Sequence, residues 1–97
     1  MTITRINYLT AKEGRESQME AGLRTNVDAI GNFPGSNGVE LLRDADNKRR
    51  FCFIERWAND KAYASFCEVF SKRDSSAVLD ALDGPMESGS FEGLKKG

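Results

Sequence analysis

The sequence predicts an α+β fold with one antiparallel sheet, and three observations lead to this prediction. Apolar residues alternate along several short segments, as they do in half-buried strands. Along two longer segments they recur every three or four residues, as they do in amphipathic helices. Turn-forming residues separate these segments in the order strand, helix, strand, strand, helix, strand. This order is the ferredoxin-like βαββαβ arrangement, with four strands in one sheet and the helices on one face, in a single domain over residues 1–97.

The first strand and the first helix have clear periodic patterns. Ile3–Thr10 is rich in β-branched residues and predicts a strand, which Lys12–Gly14 interrupts. Ile3, Arg5, Asn7 and Leu9 share one face of this strand. A helix is predicted over Arg15–Ile30, where apolar residues at spacings of four, four and three form a stripe. These residues are Met19, Leu23, Val27 and Ile30.

The helix is expected to end at a glycine. Gly31 and Asn32 suit a left-handed helix cap, and the turn-forming residues of Phe33–Gly38 follow. Val39–Arg43 predicts the second strand, with Val39 and Leu41 on its buried face. The polar loop Asp44–Lys48 has hairpin length and leads into the third strand.

The stretch Phe51–Phe70 contains the single Trp and six of the nine aromatic residues. Its first half alternates as a strand, and one face carries Phe51, Phe53, Glu55 and Trp57. Asn59 is a predicted N-cap for the second helix. One side of that helix is predicted to carry Ala62, Tyr63, Phe66, Cys67 and Phe70. An aromatic strand face that continues into an aromatic helix face predicts a ligand-binding cleft between sheet and helix.

The last third of the chain gives weaker patterns. Arg73–Ser75 predicts a break, with Asp74 or Ser75 capping a short helix. This helix is expected to bury Val78, Leu79 and Leu82, and Gly84–Pro85 is expected to end it. Met86–Leu94 predicts the fourth strand, although Gly89 and Gly93 interrupt it.

The predicted sheet is apolar on both faces. Leu9, Phe53 and Trp57 would face the helices, and Ile6, Tyr8, Cys52 and Ile54 would point away from them. Because so much apolar area is unfavourable in water, a symmetric homodimer that pairs these outer sheet faces is expected.

Composition excludes several classes of function. The net charge of −1 gives no basic surface for nucleic acid or for an anionic membrane. No apolar run approaches the roughly 18 residues of a spanning helix, and the first residues do not resemble a secretory signal. Cys52 and Cys67 do not form a metal or redox motif. We expect a cytoplasmic protein with two buried, reduced thiols and no metal or cofactor.

The chain contains no His. This absence removes the usual general base near neutral pH and every Ser-His-Asp or Cys-His arrangement. Glu55 is the most interesting remaining carboxylate, because burial among aromatic residues would raise its pKa toward that of a useful base. A salt bridge to Arg5 on a neighbouring strand is the alternative. Asn7, an amide predicted under the helices, either holds backbone or faces a ligand.

The order and spacing of several short motifs resemble the antibiotic biosynthesis monooxygenase family. These motifs are Pro34-Gly35, Glu40-Leu41, Arg43-Asp44, Arg50-Phe51, Glu55-Arg56-Trp57, Ala62-Tyr63 and Leu82-Asp83-Gly84-Pro85. The resemblance covers nearly the whole chain and implies the dimeric α+β barrel fold with a pocket between helices and sheet. Its members include cofactor-free oxygenases of aromatic polyketides and quinols, haem-degrading enzymes and an isomerase.

The resemblance is uneven at the positions where family members carry chemistry. Asn7 matches an Asn of the haem-degrading members, but Phe66 stands at their pocket Trp and about Ser76 at their haem-ligating His. Trp57 and Tyr63 match a Trp and a Tyr of the quinone-forming members. Phe53 and about Ala77 stand where those members have an Asn and an Arg. Haem degradation is therefore not expected.

Two functions follow as hypotheses. The first is a cofactor-independent monooxygenase that oxidises a small aromatic or quinol-type substrate with dioxygen. Its catalytic residues would be Asn7, Tyr63 and Glu55, and its substrate-binding residues would be Leu9, Phe53, Trp57, Phe66 and Phe70. The alternative is a non-catalytic protein of the same fold that binds a hydrophobic small molecule.

Overall fold

A computed structural model describes residues 2–71 and 76–97, and within them the chain forms four strands and three helices. The elements are β1 (Ile3–Thr10), α1 (Glu16–Gly31), β2 (Ser36–Arg43), β3 (Arg50–Trp57), α2 (Asp60–Phe70), α3 (Ser76–Ala81) and β4 (Glu87–Glu92). The strands form one antiparallel sheet in the order β2-β3-β1-β4. This topology confirms the predicted ferredoxin-like fold.

The register of the two central strands brings the candidate polar residues together. In the β1–β3 pair, Arg5 lies opposite Glu55 and Asn7 lies opposite Phe53. Side chains of directly opposed residues on one sheet face are neighbours, with Cβ atoms about 4.5–5.5 Å apart. On the other side of β1, Ser88 and Ser90 of β4 pair with Asn7 and Arg5. The polar groups of three strands therefore meet on one face of the sheet.

Helix α1 has the predicted apolar stripe but not the predicted cap. Met19, Leu23 and Ile30 are buried, and Val27 packs against them. The prediction of a left-handed cap is wrong, because Gly31 is the last helical residue and Asn32 has a right-handed φ of −91°. The backbone N–H of Asn32 still finds an acceptor within the last turn, so no left-handed residue is needed there.

The second strand begins earlier than predicted, and the third begins at the predicted Arg50-Phe51 pair. Strand β2 starts at Ser36 rather than Val39, because Ser36 pairs with Trp57 across a register shift before Gly38. Val39 and Leu41 are half-buried and Glu40 is exposed, as the alternation predicts. Strand β3 starts at Arg50, one residue before Phe51.

Helix α2 begins as predicted. The Asn59 side chain accepts a hydrogen bond of 2.9 Å from the backbone N–H of Ala62. The turn before β2 approaches this helix closely, since a Cβ atom on Gly35 would lie 2.4 Å from the Cβ of Ala62. Gly35 has a φ of +90°, and its carbonyl accepts a 2.8 Å bond from the N–H of Ala58. A glycine is therefore required where this turn positions the start of α2.

Helix α3 packs on α1 at another close approach. A Cβ atom on Gly22 would lie 2.6 Å from Cγ2 of Val78, one of two buried apolar residues of α3. The expectation that Leu79 is buried is wrong, since its side chain is 62% exposed. Leu82 packs against the core, and Gly84 turns the chain with a φ of +77°. The predicted break and cap at residues 73–75 lie outside the described residues.

Strand β4 is shorter than the predicted Met86–Leu94, and it pairs only over Glu87–Glu92. Leu94 is almost fully exposed beyond it.

The prediction of two buried thiols is also wrong. Cys52 is half-buried on the outer sheet face, and Cys67 is exposed on α2. Ile6, Tyr8 and Ile54 are half-buried on the outer face as well.

Candidate active site

A cavity of about 410 Å³ lies between the inner sheet face and the helices. All the residues predicted to form the site, except Trp57, line it. These are Asn7, Leu9, Phe53, Glu55, Tyr63, Phe66 and Phe70. Trp57 is fully buried behind the wall, where its ring centroid lies 4.9 Å from that of Phe66.

Glu55 is a buried carboxylate held by two donors. Its Oε2 accepts a 2.8 Å hydrogen bond from Nδ2 of Asn7, and its Oε1 accepts a 3.3 Å bond from Nε1 of Trp57. Burial raises the pKa of Glu55 above its ordinary value, and the bonds from Asn7 and Trp57 and the charge of Arg5 lower it by less. A fixed carboxylate with a raised pKa is suited to accept a proton near neutral pH.

The Asn7 amide is fully used within the protein. Besides the bond to Glu55, Nδ2 donates a 3.0 Å hydrogen bond to the carbonyl of Phe53. The Oδ1 atom accepts a 2.8 Å bond from the hydroxyl of Ser88. Both amide protons and the amide oxygen therefore have partners, which fixes the orientation of Asn7 and, through it, that of Glu55.

Arg5 enters the same site from β1, and the sequence interpretation considered it only as a salt-bridge partner. Among the described residues Arg5 forms no direct ion pair with Glu55. Its Nη1 donates a 3.0 Å bond to the hydroxyl of Ser90, and its guanidinium carbon lies 5.2 Å from the ring centroid of Tyr63. Its Nε is buried without a hydrogen-bond partner. The sequence pattern that could have identified Arg5 as a site residue is the alternation along β1, which places it on the same face as Asn7 and Leu9.

Tyr63 supplies a phenol that stays protonated. Burial, followed by a hydrogen bond with Cys67 one turn along α2, raises the pKa of Tyr63 to about 12. The hydroxyl is therefore a donor rather than a base at neutral pH. Its ring stacks at 6.5 Å from the ring of Phe66.

Aromatic rings form the apolar wall. The ring of Phe66 lies 4.9 Å from that of Phe70 and 5.5 Å from that of Phe33. Phe33 lies in a turn, where periodicity gives no signal, so the sequence pattern does not predict its contact with Phe66. The edge-to-face contact of Phe33 with Phe66 fixes the ring that separates Trp57 from the cavity.

A second, larger depression of about 600 Å³ lies between α1 and β2. Three of its charged residues pair with one another, since Glu20 bonds both Arg24 and Arg43. It holds neither a buried carboxylate nor a residue of the predicted site. Over the described part of the chain, no three His, Cys, Asp or Glu residues cluster as metal ligands would. The apolar cavity is therefore the better candidate site.

The fold and the cavity define a small ferredoxin-like domain with a buried carboxylate facing an apolar chamber. The chain belongs to the antibiotic biosynthesis monooxygenase family, whose family model matches residues 2–68. No helix within the described ranges has the length and apolar character needed to cross a membrane.

Solved structures share the fold. An asparagine-to-alanine mutant of SnoaB, a cofactor-independent oxygenase from Streptomyces nogalater, superposes with a TM-score of 0.85 at 20% identity, over 98% of this chain and 95% of that one. PA3566 from Pseudomonas aeruginosa superposes with a TM-score of 0.81 at 22% identity, over 97% of this chain and 95% of that one.

A curated relative has a different described activity. A mycobilin-producing heme oxygenase of Mycobacterium tuberculosis is 26% identical over 66 residues, which are 68% of this chain and 63% of that protein. The match thus spans less than two thirds of the relative's length.

The residues of the cavity do not fit a haem. Haem iron is held by His, Cys thiolate, Met or Tyr ligands. The chain has no His, and Met86, which lines the cavity, would need a His as the second ligand of the Met/His pair. The raised pKa of Tyr63 disfavours the tyrosinate form that binds iron. Cys67, the thiol beside the cavity, is hydrogen-bonded to Tyr63. We therefore derive no reaction step through haem.

Proposed function

We propose that this protein is a monooxygenase that oxidises an electron-rich aromatic substrate with dioxygen and needs no cofactor. The observation that carries the proposal is the position of Glu55. It is 8% exposed, faces an apolar cavity, and is oriented by Asn7 and Trp57. The family membership and the description of SnoaB as a cofactor-independent oxygenase support the reaction class.

The substrate class that suits this cavity is an anthrone or a similar ring ketone with an acidic methylene group. The Glu55 carboxylate takes one methylene proton, and the electron pair of the broken C–H bond moves onto the ketone oxygen as an enolate. Tyr63, protonated because its pKa is raised to about 12, donates a hydrogen bond to that oxygen. The apolar walls exclude water and hold the ring in place.

The enolate then supplies the electrons for dioxygen. Electron transfer and radical combination form a carbon–oxygen bond, and the resulting peroxide loses water. One oxygen atom remains as a new carbonyl, and the other leaves as water with the two methylene hydrogens. The methylene carbon loses four electrons and dioxygen gains four, so no further reductant is required.

In this proposal Asn7 orients Glu55 and does not contact the substrate, since its donors are already used. Leu9, Phe53, Phe66 and Phe70 form the substrate-binding wall, and Trp57 supports Glu55 from behind.

We also propose a homodimer through the outer sheet face, because Ile6, Tyr8 and Ile54 leave apolar area there. Light scattering would give a mass of twice 10.8 kDa for such a dimer.

The test is dioxygen uptake by the metal-free protein with a panel of anthrones and hydroquinones. We expect uptake above the autoxidation rate that saturates with substrate and is lost in Glu55→Gln. Asp46→Asn, a change of an exposed loop carboxylate, is the matched control and should keep full activity. Binding detected by quenching of Trp57 without uptake on any panel member would instead support the non-catalytic binding protein.

A further inference from the structure

Arg5 is a cation whose bonding is incomplete. Its Nη1 is held by Ser90, but its Nε is buried and has no partner among the described residues. Glu55, the carboxylate opposite it in the β1–β3 register, bonds to Asn7 and Trp57 instead. The guanidinium therefore borders the cavity with a buried N–H and without a carboxylate bonded to it.

A buried donor without an acceptor is unfavourable, and more so when the group is charged. Arg5 lines the cavity, so an anionic oxygen there would give its guanidinium a charge-assisted hydrogen bond, which is shorter and stronger than a neutral one. The ring of Tyr63 lies against the guanidinium at 5.2 Å and limits the directions in which Arg5 can turn. Tyr63 and Ser90 thus hold the guanidinium in place at the edge of the cavity.

The register also places this cation beside the base. Arg5 and Glu55 are directly opposed on the inner face, so a substrate atom that reaches one carboxylate oxygen lies near the guanidinium as well. Arg5, Glu55 and Tyr63 line the cavity from β1, β3 and α2, beside Asn7 and Cys67, whose hydrogen bonds lie within the protein. Together they offer a cation, an acceptor and a neutral donor to one end of a substrate.

We propose that Arg5 binds the oxygen on which negative charge resides after proton loss, and that the cavity therefore selects oxygen acids with an apolar aromatic body. This inference rests on the proposed function and names its substrate class: phenols and enolisable ring ketones. The proton leaves the substrate and joins Glu55, and the electron pair stays on the substrate and resides on its oxygen. Before the transfer Glu55 is negatively charged and the substrate is neutral, and afterwards Glu55 is neutral and the substrate is the anion. The total charge beside Arg5 therefore does not change.

This charge balance explains how an apolar cavity can host proton transfer. Burial raises the pKa of Glu55, and the positive charge of Arg5 opposes that effect while the carboxylate is ionised. After transfer the same positive charge faces the substrate anion. Arg5 thus stabilises the negative charge before and after the proton moves.

The probe that tests the inference is 2-hydroxyanthraquinone, whose ionisation is visible in its absorption spectrum, with anthraquinone as the neutral analogue. Binding is followed by quenching of Trp57, the single Trp. We expect the wild-type protein to bind the ionised probe and to lower the pKa of the bound probe by about one unit. Arg5→Met should remove that shift and weaken binding of the ionised probe about ten-fold, with anthraquinone binding unchanged.

Two controls separate a specific contact from net charge. Arg24→Met removes the same charge from an exposed position on α1 and should leave the probe pKa unchanged. Ser90→Ala removes the hydroxyl that holds Nη1 and should reduce the shift without abolishing it. If circular dichroism shows that Arg5→Met does not fold, Arg5→Lys and Ser90→Ala provide the test, since both keep the positive charge and alter its placement.

Three results would overturn the inference: an unshifted probe pKa in the wild-type protein, an unchanged shift in the Arg5 variants, or no binding of the ionised probe. Dioxygen uptake is measured separately. Absence of uptake together with an Arg5-dependent probe shift would refute the oxygenase and leave the anion site standing. Dioxygen uptake without an Arg5-dependent probe shift would support the oxygenase and refute the anion site.

Discussion

The Nδ2 atom of Asn7 lies 2.8 Å from Oε2 of Glu55, a diagonal contact across the two central strands. Asn7 is directly opposite Phe53 and bonds its carbonyl, so the amide reaches along β3 toward Glu55 two residues further on. The hydroxyl of Ser88 fixes the other end of the amide. The orientation of the carboxylate thus depends on a hydrogen-bond network across three strands.

Asn7→Leu should move the acidic limb of the pH–rate profile to higher pH. A base works in its ionised form, so activity rises with pH through the pKa of Glu55. The hydrogen bond from Asn7 lowers that pKa, and its removal lets the effect of burial act more fully. The kcat/KM profile for dioxygen uptake is the measurement. Ser88→Ala is the control and should shift the limb less, because it leaves the Asn7–Glu55 bond in place; an Asn7→Leu limb at or below the wild-type pH contradicts the prediction.

Tyr63→Phe should lower kcat by about 10²-fold, the usual effect of losing one donor to a developing oxyanion. Volume is nearly preserved, so the melting temperature should change little. Steady-state kinetics beside thermal unfolding separates the two effects. Tyr8→Phe is the matched control, because Tyr8 lies on the outer sheet face under the guanidinium of Arg50. Equal loss of activity in both variants would argue against a role for the Tyr63 hydroxyl.

Phe66→Ala should destabilise the protein by about 3–5 kcal/mol, the cost of removing a buried aromatic ring. Phe66 is 7% exposed and contacts the rings of Phe33, Trp57, Tyr63 and Phe70. Val69→Ala, on the same helix but 58% exposed, should cost less than about 0.5 kcal/mol. Urea unfolding measures both, and similar values for the two variants would show that the aromatic cluster contributes little.

Gly35→Ala should cost more than about 2 kcal/mol, because it combines a left-handed backbone with a steric overlap. Its φ is +90°, and the new methyl group would lie 2.4 Å from the Cβ of Ala62. Gly31→Ala is the opposite case, since Gly31 ends α1 in open space. That variant should gain up to about 1 kcal/mol from helix propensity. Thermal unfolding of the pair checks the sign of each effect.

The sequence predicted the fold and seven of the residues that line the cavity, because two periodicities determine them. Alternation placed Leu9, Phe53 and Glu55 on one sheet face, and the helical period placed Phe66 and Phe70 opposite. These patterns depend only on which side of an element a residue occupies.

The remaining features depend on contacts between distant parts of the chain, which periodicity does not report. Phe33 joins the aromatic wall from a turn. Leu79 is exposed despite its apolar side chain, because α3 buries Val78 against Gly22 instead. The bonds from Ser88 and Ser90 come from the strand with the weakest pattern. The family resemblance did not identify Arg5, because the Arg of the related quinone-forming members falls near Ala77.

Ser88 and Ser90 of β4 position two cavity residues from outside the part of the chain that matches the family model. The family match ends at residue 68, and that portion contains Glu55, Arg5 and the aromatic wall except Phe70. Ser88 and Ser90 lie beyond it, on an edge strand that is mostly exposed, yet they hold Asn7 and Arg5. Under the proposed role of Arg5, we expect substitutions in β4 to change which substrates bind in the cavity while the apolar core stays intact, which makes this short strand a starting point for redesigning selectivity.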